Sequence, residues 1–496
     1  MDGPESPRPK LIAALLGNWV GIFGLVVATC SLFAAFCLIA IDFFHGFRQP
    51  YMGILVYLIV PSFIWIGLIC AGVGVWLERR RHKKPLAAEA PVKANGGRRT
   101  RQLVVALVCA FFFLLLTALG SYRAFEVTES SQFCGALCHT VMKPEYVTYK
   151  ISPHSRVQCT ECHIGPGASW FVRSKISGLY QVYATVTDRF PRPIPVPVQN
   201  LRPAKETCEL CHWPAKFHGW LELRRKYFLP DKQNTPWNIR MMLYVGGSIA
   251  TRGPAGGIHW HMNVSNYMEY IATDESRQTI PWVRVTNRET GTVTVYESKN
   301  NPLTPQQKTL PIRVLDCVDC HNRPTHIFHS PYRALDESMW LRLIDPSIPS
   351  IKVKAAKALV KAAGGVSQST GIELIAQELS KEYIDYQDQP KIRQAISEIQ
   401  RIFHDNFFPE MKTDWKARPD HIGHFIFPGC FRCHDGSHVD KTGKAISNEC
   451  NKCHLISSQG IEPEPETMSC LGLKFDHPGG EIPSEILCNE CHTGAP

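Results

Sequence analysis

No charged residue falls between Leu11 and Ile41, between Tyr51 and Leu77, or between Leu103 and Tyr122. Each run reaches the length of about 20 residues that a membrane-spanning helix needs. The pattern predicts three spans, at about 15–41, 51–77 and 103–122. The first run exceeds one span, so its start is expected to lie along the membrane interface. It is too long for the apolar stretch of a cleaved secretion signal and lacks a small-x-small exit. After Arg123 long apolar runs become scarce, which argues against a conventional core. From Trp237 to Asn300 the segments WNIRMMLYV, IHWHMNV, PWVRVTN and TVTVYES alternate β-formers with turns, which predicts a small antiparallel β insertion. That reading puts His259 and His261 on one face of a strand. Pro331 to Lys416 has helical periodicity, in IKVKAAKALVKAA and GIELIAQELSKEY, and reads as a helical spacer and packing segment. Between them in character is PRPIPVPVQNLRP, Pro191 to Pro203, an extended polyproline-like connector.

Charge adds an orientation. The 496 residues carry a formal charge of +10, a balance that points to nucleic acid or a membrane surface. Much of the excess lies in the loop after the second span, ERRRHKKP continuing to GGRRTR at Arg101, whereas the loop before that span has only Arg48. Lys and Arg beside spans mark the cytoplasmic side. The N-terminus and the basic loop are therefore expected in the cytoplasm, everything after Tyr122 in the periplasm, and nucleic acid is set aside as a partner.

Cysteine carries the chemistry. The signature C-x-x-C-H occurs six times: Cys159-Cys162-His163, Cys208-Cys211-His212, Cys317-Cys320-His321, Cys430-Cys433-His434, Cys450-Cys453-His454 and Cys488-Cys491-His492. A seventh motif, Cys134-Cys138-His139, has three residues between its cysteines. Such pairs attach haem c through two thioethers, and the adjacent histidine takes an axial position on the iron. Cys430 to Cys453 also has the spacing of a zinc ribbon, but zinc does not require a histidine directly after every second cysteine. Seven covalent haems would then replace much of a protein core. Cys30, Cys37, Cys70 and Cys109 lie in apolar segments as small hydrophobes, and Cys470 is left over.

Six-coordinate haem needs a second ligand for each iron. Eleven periplasmic histidines stand outside the motifs: His154, His218, His259, His261, His326, His329, His404, His421, His424, His438 and His477. Met142 follows the first motif closely and is a further candidate. This supply covers seven distal positions and favours an electron relay over a substrate-binding iron.

The third span, the first haem motif with Met142 behind it, the run YVTYKISPH and the second motif resemble the NapC/NirT family of membrane-anchored multihaem quinol dehydrogenases. The likeness covers about Leu103 to Trp213. The whole plan, with three spans and seven motifs, is similar to inner-membrane heptahaem cytochromes of metal-respiring bacteria. The resemblance implies Met142 on the first haem and His154 on another. It also implies a basic and an acidic residue near quinol after the second motif. Arg173 and Lys175 fill the basic role, while the nearest acid downstream is Asp188. Here the chain departs from the pattern, as it does in its CxxxCH first motif.

The expected fold is mixed: three transmembrane helices, then a haem-packed periplasmic region with little regular structure, a small β insertion and a helical segment. The expected divisions are an anchor at 1–122, a haem module at 123–220, the β insertion and fourth haem at 221–330, the helical spacer at 331–416 and a C-terminal haem module at 417–496. The expected activity is quinol oxidation, with menaquinol from the membrane pool as substrate and periplasmic c-type cytochromes as acceptors. The alternatives are a terminal multihaem reductase of a small oxyanion, or the haem subunit of a larger complex in which the first two spans hold a membrane partner or a second copy.

Overall fold

The computed structural model describes residues 11–45, 59–81, 96–137, 139–165, 168–197, 202–246, 256–461, 467–483 and 486–496. The expected start of the second span at 51, Arg48, most of the basic loop and Cys138 lie outside the described residues. The chain divides into two compact units. One is Met1–Phe133 with Ile164–Ser177; the other is Cys134–His163 with Gly178–Pro496.

The first unit is helical. A short helix α1 (Leu11–Leu16) precedes α2 (Trp19–His45), followed by α3 (Val60–Arg81) and α4 (Gly96–Glu129). The last three are long and apolar enough to cross a membrane. Helices α2 and α3 meet through small residues. A Cβ on Gly24 would lie 2.2 Å from the Ala71 backbone N, and one on Gly67 would lie 2.5 Å from that of Ala28. Such close backbone approach is how apolar helices associate where lipid removes the hydrophobic drive. Asn18 fixes the register by donating from Nδ2 to the Gly74 carbonyl at 2.6 Å. Helix α4 meets α2 through Phe33 and Phe111, with ring centres 5.3 Å apart.

Helices α5 (His139–Lys150) and α6 (Ala168–Val186) follow, and the second unit also holds two sheets and a helical subdomain. The strands are β1 (Trp220–Phe228), β2 (Pro236–Tyr244), β3 (Asn266–Ile271), β4 (Trp282–Asn287), β5 (Val293–Ser298), β6 (Arg313–Val314), β7 (His438–Val439), β8 (His454–Ile461) and β9 (Thr467–Leu473). One sheet has the order β1-β2-β8-β9 and the other β6-β3-β4-β5-β7, with antiparallel pairing throughout. The expected β insertion is therefore not self-contained. Both sheets are completed by strands from the C-terminal haem segment, since β2 pairs Trp237 with Ile461 and β5 pairs Ser298 with His438. A further correction concerns IHWHM. It forms a helical turn, Ile258–Met262, and not a strand. Gly257, at φ 73°, reverses the chain just before it.

The helices are α7 (Pro331–Trp340), α8 (Ile351–Ala363), α9 (Gln368–Glu382) and α10 (Gln389–Asn406). Ser330, Ser367 and Asp388 cap three of them, accepting from the backbone N of Arg333, Thr370 and Lys391. Leu335, Met339, Leu359, Ile375, Ile399 and Phe403 pack at the centre and are fully buried. The expectation that no conventional core would form fails here. The amphipathic stripes of four helices supply one, and Phe190, just before the proline-rich connector, and Ile194 within it pack against that core.

One ion pair is buried at the edge of this core. Lys352 Nζ lies 2.6 Å from Asp336 Oδ1, and the same oxygen accepts the Phe228 backbone N–H at 3.0 Å. Burial pushes the Asp336 carboxyl up to about 6 and Lys352 below the usual lysine range, so desolvation outweighs their attraction. The pair fixes how β1 meets α7 and α8. Lys352→Met strands a buried carboxylate and is expected to lower stability by about 3–5 kcal/mol in urea unfolding of the full protein followed by circular dichroism. Asp336→Leu added to Lys352→Met should recover most of that loss.

Candidate functional site

The motif cysteines sit on short helical turns, such as Cys159–His163, Cys317–Cys320 and Cys488–Cys491. Six motifs present their histidine to a second ring drawn from elsewhere in the second unit. His163 faces His326 with ring centres 6.3 Å apart, and His212 faces His154 at 6.0 Å. His321 faces His259 at 6.3 Å, and His434 faces His261 at 5.8 Å. His454 faces His424 at 6.2 Å, and His492 faces His477 at 6.0 Å. Two imidazoles on opposite faces of one metal, each nitrogen about 2 Å from the ion and each ring centre about 1 Å further, would stand about 6 Å apart. The donor sets therefore fit the haem iron that the motifs imply.

Hydrogen bonding orients the same rings. Nδ1 of His154, His259, His261, His326 and His434 donates to the carbonyl of Pro324, Val245, Ile258, Glu145 and Ser447 respectively, over 2.7 to 3.1 Å. That bond fixes the tautomer and leaves the Nε2 lone pair available, as metal-bound histidines require. Burial also holds His163, His261 and His326 below the usual histidine range, His326 at about 4, so the rings are neutral.

The remaining candidates are placed differently. His421 is buried with Nε2 against the Ser276 carbonyl at 3.0 Å, while Arg432 Nη1 reaches its Nδ1 at 3.2 Å. His438 is buried with Nδ1 on Asp435 at 2.8 Å and Nε2 on the Ile280 carbonyl at 2.7 Å. Neither ring has a free nitrogen. His329 contacts Glu337 and His404 contacts Asp405, and His218 is exposed. Met142 is half-buried and packs against the helical core. The His139 side chain lies outside the described residues.

The first unit contains the basic candidates. Lys175 makes a short ion pair with Glu129, the last residue of α4, whose side chain is almost fully buried. Arg173 lies over the Trp170 ring, 5.3 Å from its centre. Asp188 instead pairs with Arg192 at 2.5 Å. The acid beside Lys175 thus comes from 46 residues upstream. Sequence reasoning missed it because it sought the acid downstream of the second motif.

These geometries belong to a membrane-anchored multihaem cytochrome c with haem covalently attached, and comparison with known proteins agrees. Residues 97–193 match the NapC/NirT cytochrome c family, N-terminal region. The chain belongs to that family. It is similar to the cytochrome c-type protein ImcH of Geobacter sulfurreducens, 38% identical over 497 residues that cover 97% of this chain and 96% of the relative. No solved structure matches it.

His421→Leu or His438→Leu removes a buried hydrogen-bonding anchor and is expected to cost about 1–3 kcal/mol. Urea unfolding measures that loss. The visible and electron paramagnetic resonance spectra of the haems should stay those of the unaltered protein, because neither ring offers a nitrogen to iron.

Proposed function

We propose that this chain is a heptahaem quinol dehydrogenase of the bacterial inner membrane. It oxidises quinol, menaquinol above all, and passes the electrons to periplasmic c-type cytochromes. Haem c, once attached, supplies the one-electron carriers. The observation that carries the reading is the set of six facing histidine pairs. On this reading His154, His259, His261, His326, His424 and His477 are the distal ligands of the haems on His212, His321, His434, His163, His454 and His492. A relay needs such closed sites. A terminal reductase needs an open iron, and six of the seven motifs have a second ring already in place among the described residues. Met142 remains the proposed ligand of the first haem.

Quinol oxidation also needs a place for protons. Lys175 offers a cation to a quinol oxygen, and Glu129 offers a carboxylate at the end of the third apolar helix. Arg173 adds charge at the same surface. In this reading α2, α3 and α4 all span the membrane, the Arg79–Arg81 end of α3 faces the cytoplasm, and everything after Tyr122, with all seven motifs, faces the periplasm.

Two experiments test the reading. In detergent, a menaquinol analogue should rapidly reduce the haem α-band of the oxidised protein, and a quinone-site inhibitor should block it. No reduction by quinol, with full reduction by dithionite, would remove the dehydrogenase reading. Glu129→Gln should slow quinol-driven reduction about 100-fold or more, the usual cost of losing a positioned proton acceptor, and Lys175→Met should slow it in the same direction, while dithionite reduction is unchanged. Separately, His477→Ala should convert one haem of the set from low-spin to high-spin with total haem unaltered.

A further inference from the structure

Beside the His163–His326 pair lies a pocket whose arginines have buried donors that the described residues leave unused. Arg418 is 3% exposed. Its Nε and Nη2 have no hydrogen-bond partner among the described residues, and neither does Arg323 Nε. The adjacent carboxylate is Glu145. Its Oε1 lies 3.5 Å from Arg418 Nη2 without a hydrogen bond, and its Oε2 has no partner among the described residues. Asp420, the other acid close by, accepts the Ile422 backbone N–H at 3.0 Å. Glu145 and Asp420 thus face two guanidinium groups, each of which keeps a buried donor unused among the described residues. Burying a cation in this state is strongly unfavourable unless an anion completes it. A planar guanidinium pair suits a carboxylate best. The pocket also adjoins the ring pair, since the Glu145 backbone carbonyl accepts the His326 Nδ1–H at 2.9 Å.

We propose that Arg323 and Arg418 together hold a propionate carboxylate of the haem attached at Cys159 and Cys162, and thereby set that haem's reduction potential. The proposal rests on the assignment of His163 and His326 as that haem's ligands. Two cations beside a haem favour the state with one more electron. Removing one of them should make that haem harder to reduce.

The test is a redox titration of the full-length, haem-loaded protein in detergent, followed by electron paramagnetic resonance. The ferric signal altered in His326→Met identifies the haem. Arg418→Leu should then raise the oxidised-to-reduced ratio of that signal about tenfold at a fixed poise, equivalent to about 59 mV for one electron. The other signals should hold their midpoints, and haem content should stay that of the unaltered protein. Arg418→Lys, which keeps the charge, should recover most of the shift, whereas a merely structural role would not be rescued in this way. Should Arg418→Leu fail to incorporate haem, Arg323→Met is read in its place. An unmoved midpoint in a haem-complete variant overturns the clamp. So does a midpoint in the unaltered protein that follows the buffer anion when chloride is exchanged for phosphate, because the pocket then holds a solute anion. If His326→Met alters no signal, the ligand assignment itself fails.

Discussion

Two imidazole rings held about 6 Å apart and facing each other are the constraint on which the second unit turns. Neither ring of such a pair gains anything from the other across that gap. Each must be held by its own surroundings, and the hydrogen bond from Nδ1 to a backbone carbonyl does so. The carbonyls belong to Pro324, Val245, Ile258, Glu145 and Ser447, which lie on loops, a helix and a strand end. Ring position is thus referred to backbone, the least adaptable part of the structure. A one-residue shift in any of those segments would turn a ring away from its partner. That sensitivity explains why a region with so many turns needs firm supports around it.

The helical core is one of those supports. Val141 of α5 and Phe328 both belong to the buried cluster centred on α7 to α10. Helix α5 carries Glu145, whose carbonyl orients His326, and Phe328 lies two residues beyond His326. Donor and acceptor are therefore clamped to the same packed body and move together. Arg432 does similar work between two motifs. It lies within the fifth motif and donates from Nη2 to the Asp319 carbonyl of the fourth at 2.7 Å. Asp319 in turn accepts from Tyr270 Oη at 2.5 Å and from Arg277 at 2.8 Å. Two motifs far apart in the chain are joined by a polar network in which each buried charge has a partner.

How much of this was legible in the sequence follows from range. The apolar runs and the helical stripes of Ile351–Ala363 and Gln368–Glu382 are local patterns, and within the described residues they became helices with shifts only at the ends. The motif histidines were legible because their chemistry is written in five consecutive residues. The rings that face the motif histidines were legible only as a pool. His421 and His424 stand three apart, yet one is an anchor with both nitrogens used and the other faces His454. The difference depends on which carbonyls approach, and no local pattern records that. The sheets fail for the same reason: Trp237 pairs with Ile461, so a β insertion read from its own alternation looked complete when it was not. His259 and His261 illustrate the point most sharply. Read on a strand they would share one face; on a helical turn they diverge to His321 and His434.

That divergence has a consequence for how the haem sites can be coupled. A single turn, Ile258–Met262, offers one ring to the fourth motif and one to the fifth. The turn is itself tied to the first sheet by the His259 ring and backbone N, both bonded to the Val245 carbonyl at 3.1 and 3.2 Å. Any displacement of this turn would move both facing rings at once. The fourth and fifth ring pairs are therefore mechanically one object, with Arg432 fastening their motif sides and the turn fastening the opposite sides. Fastening on both sides holds the separation between two sites more tightly than either alone. A separation fixed in this way is what a chain of fixed electron carriers requires, because transfer between neighbours depends on distance and not on collision.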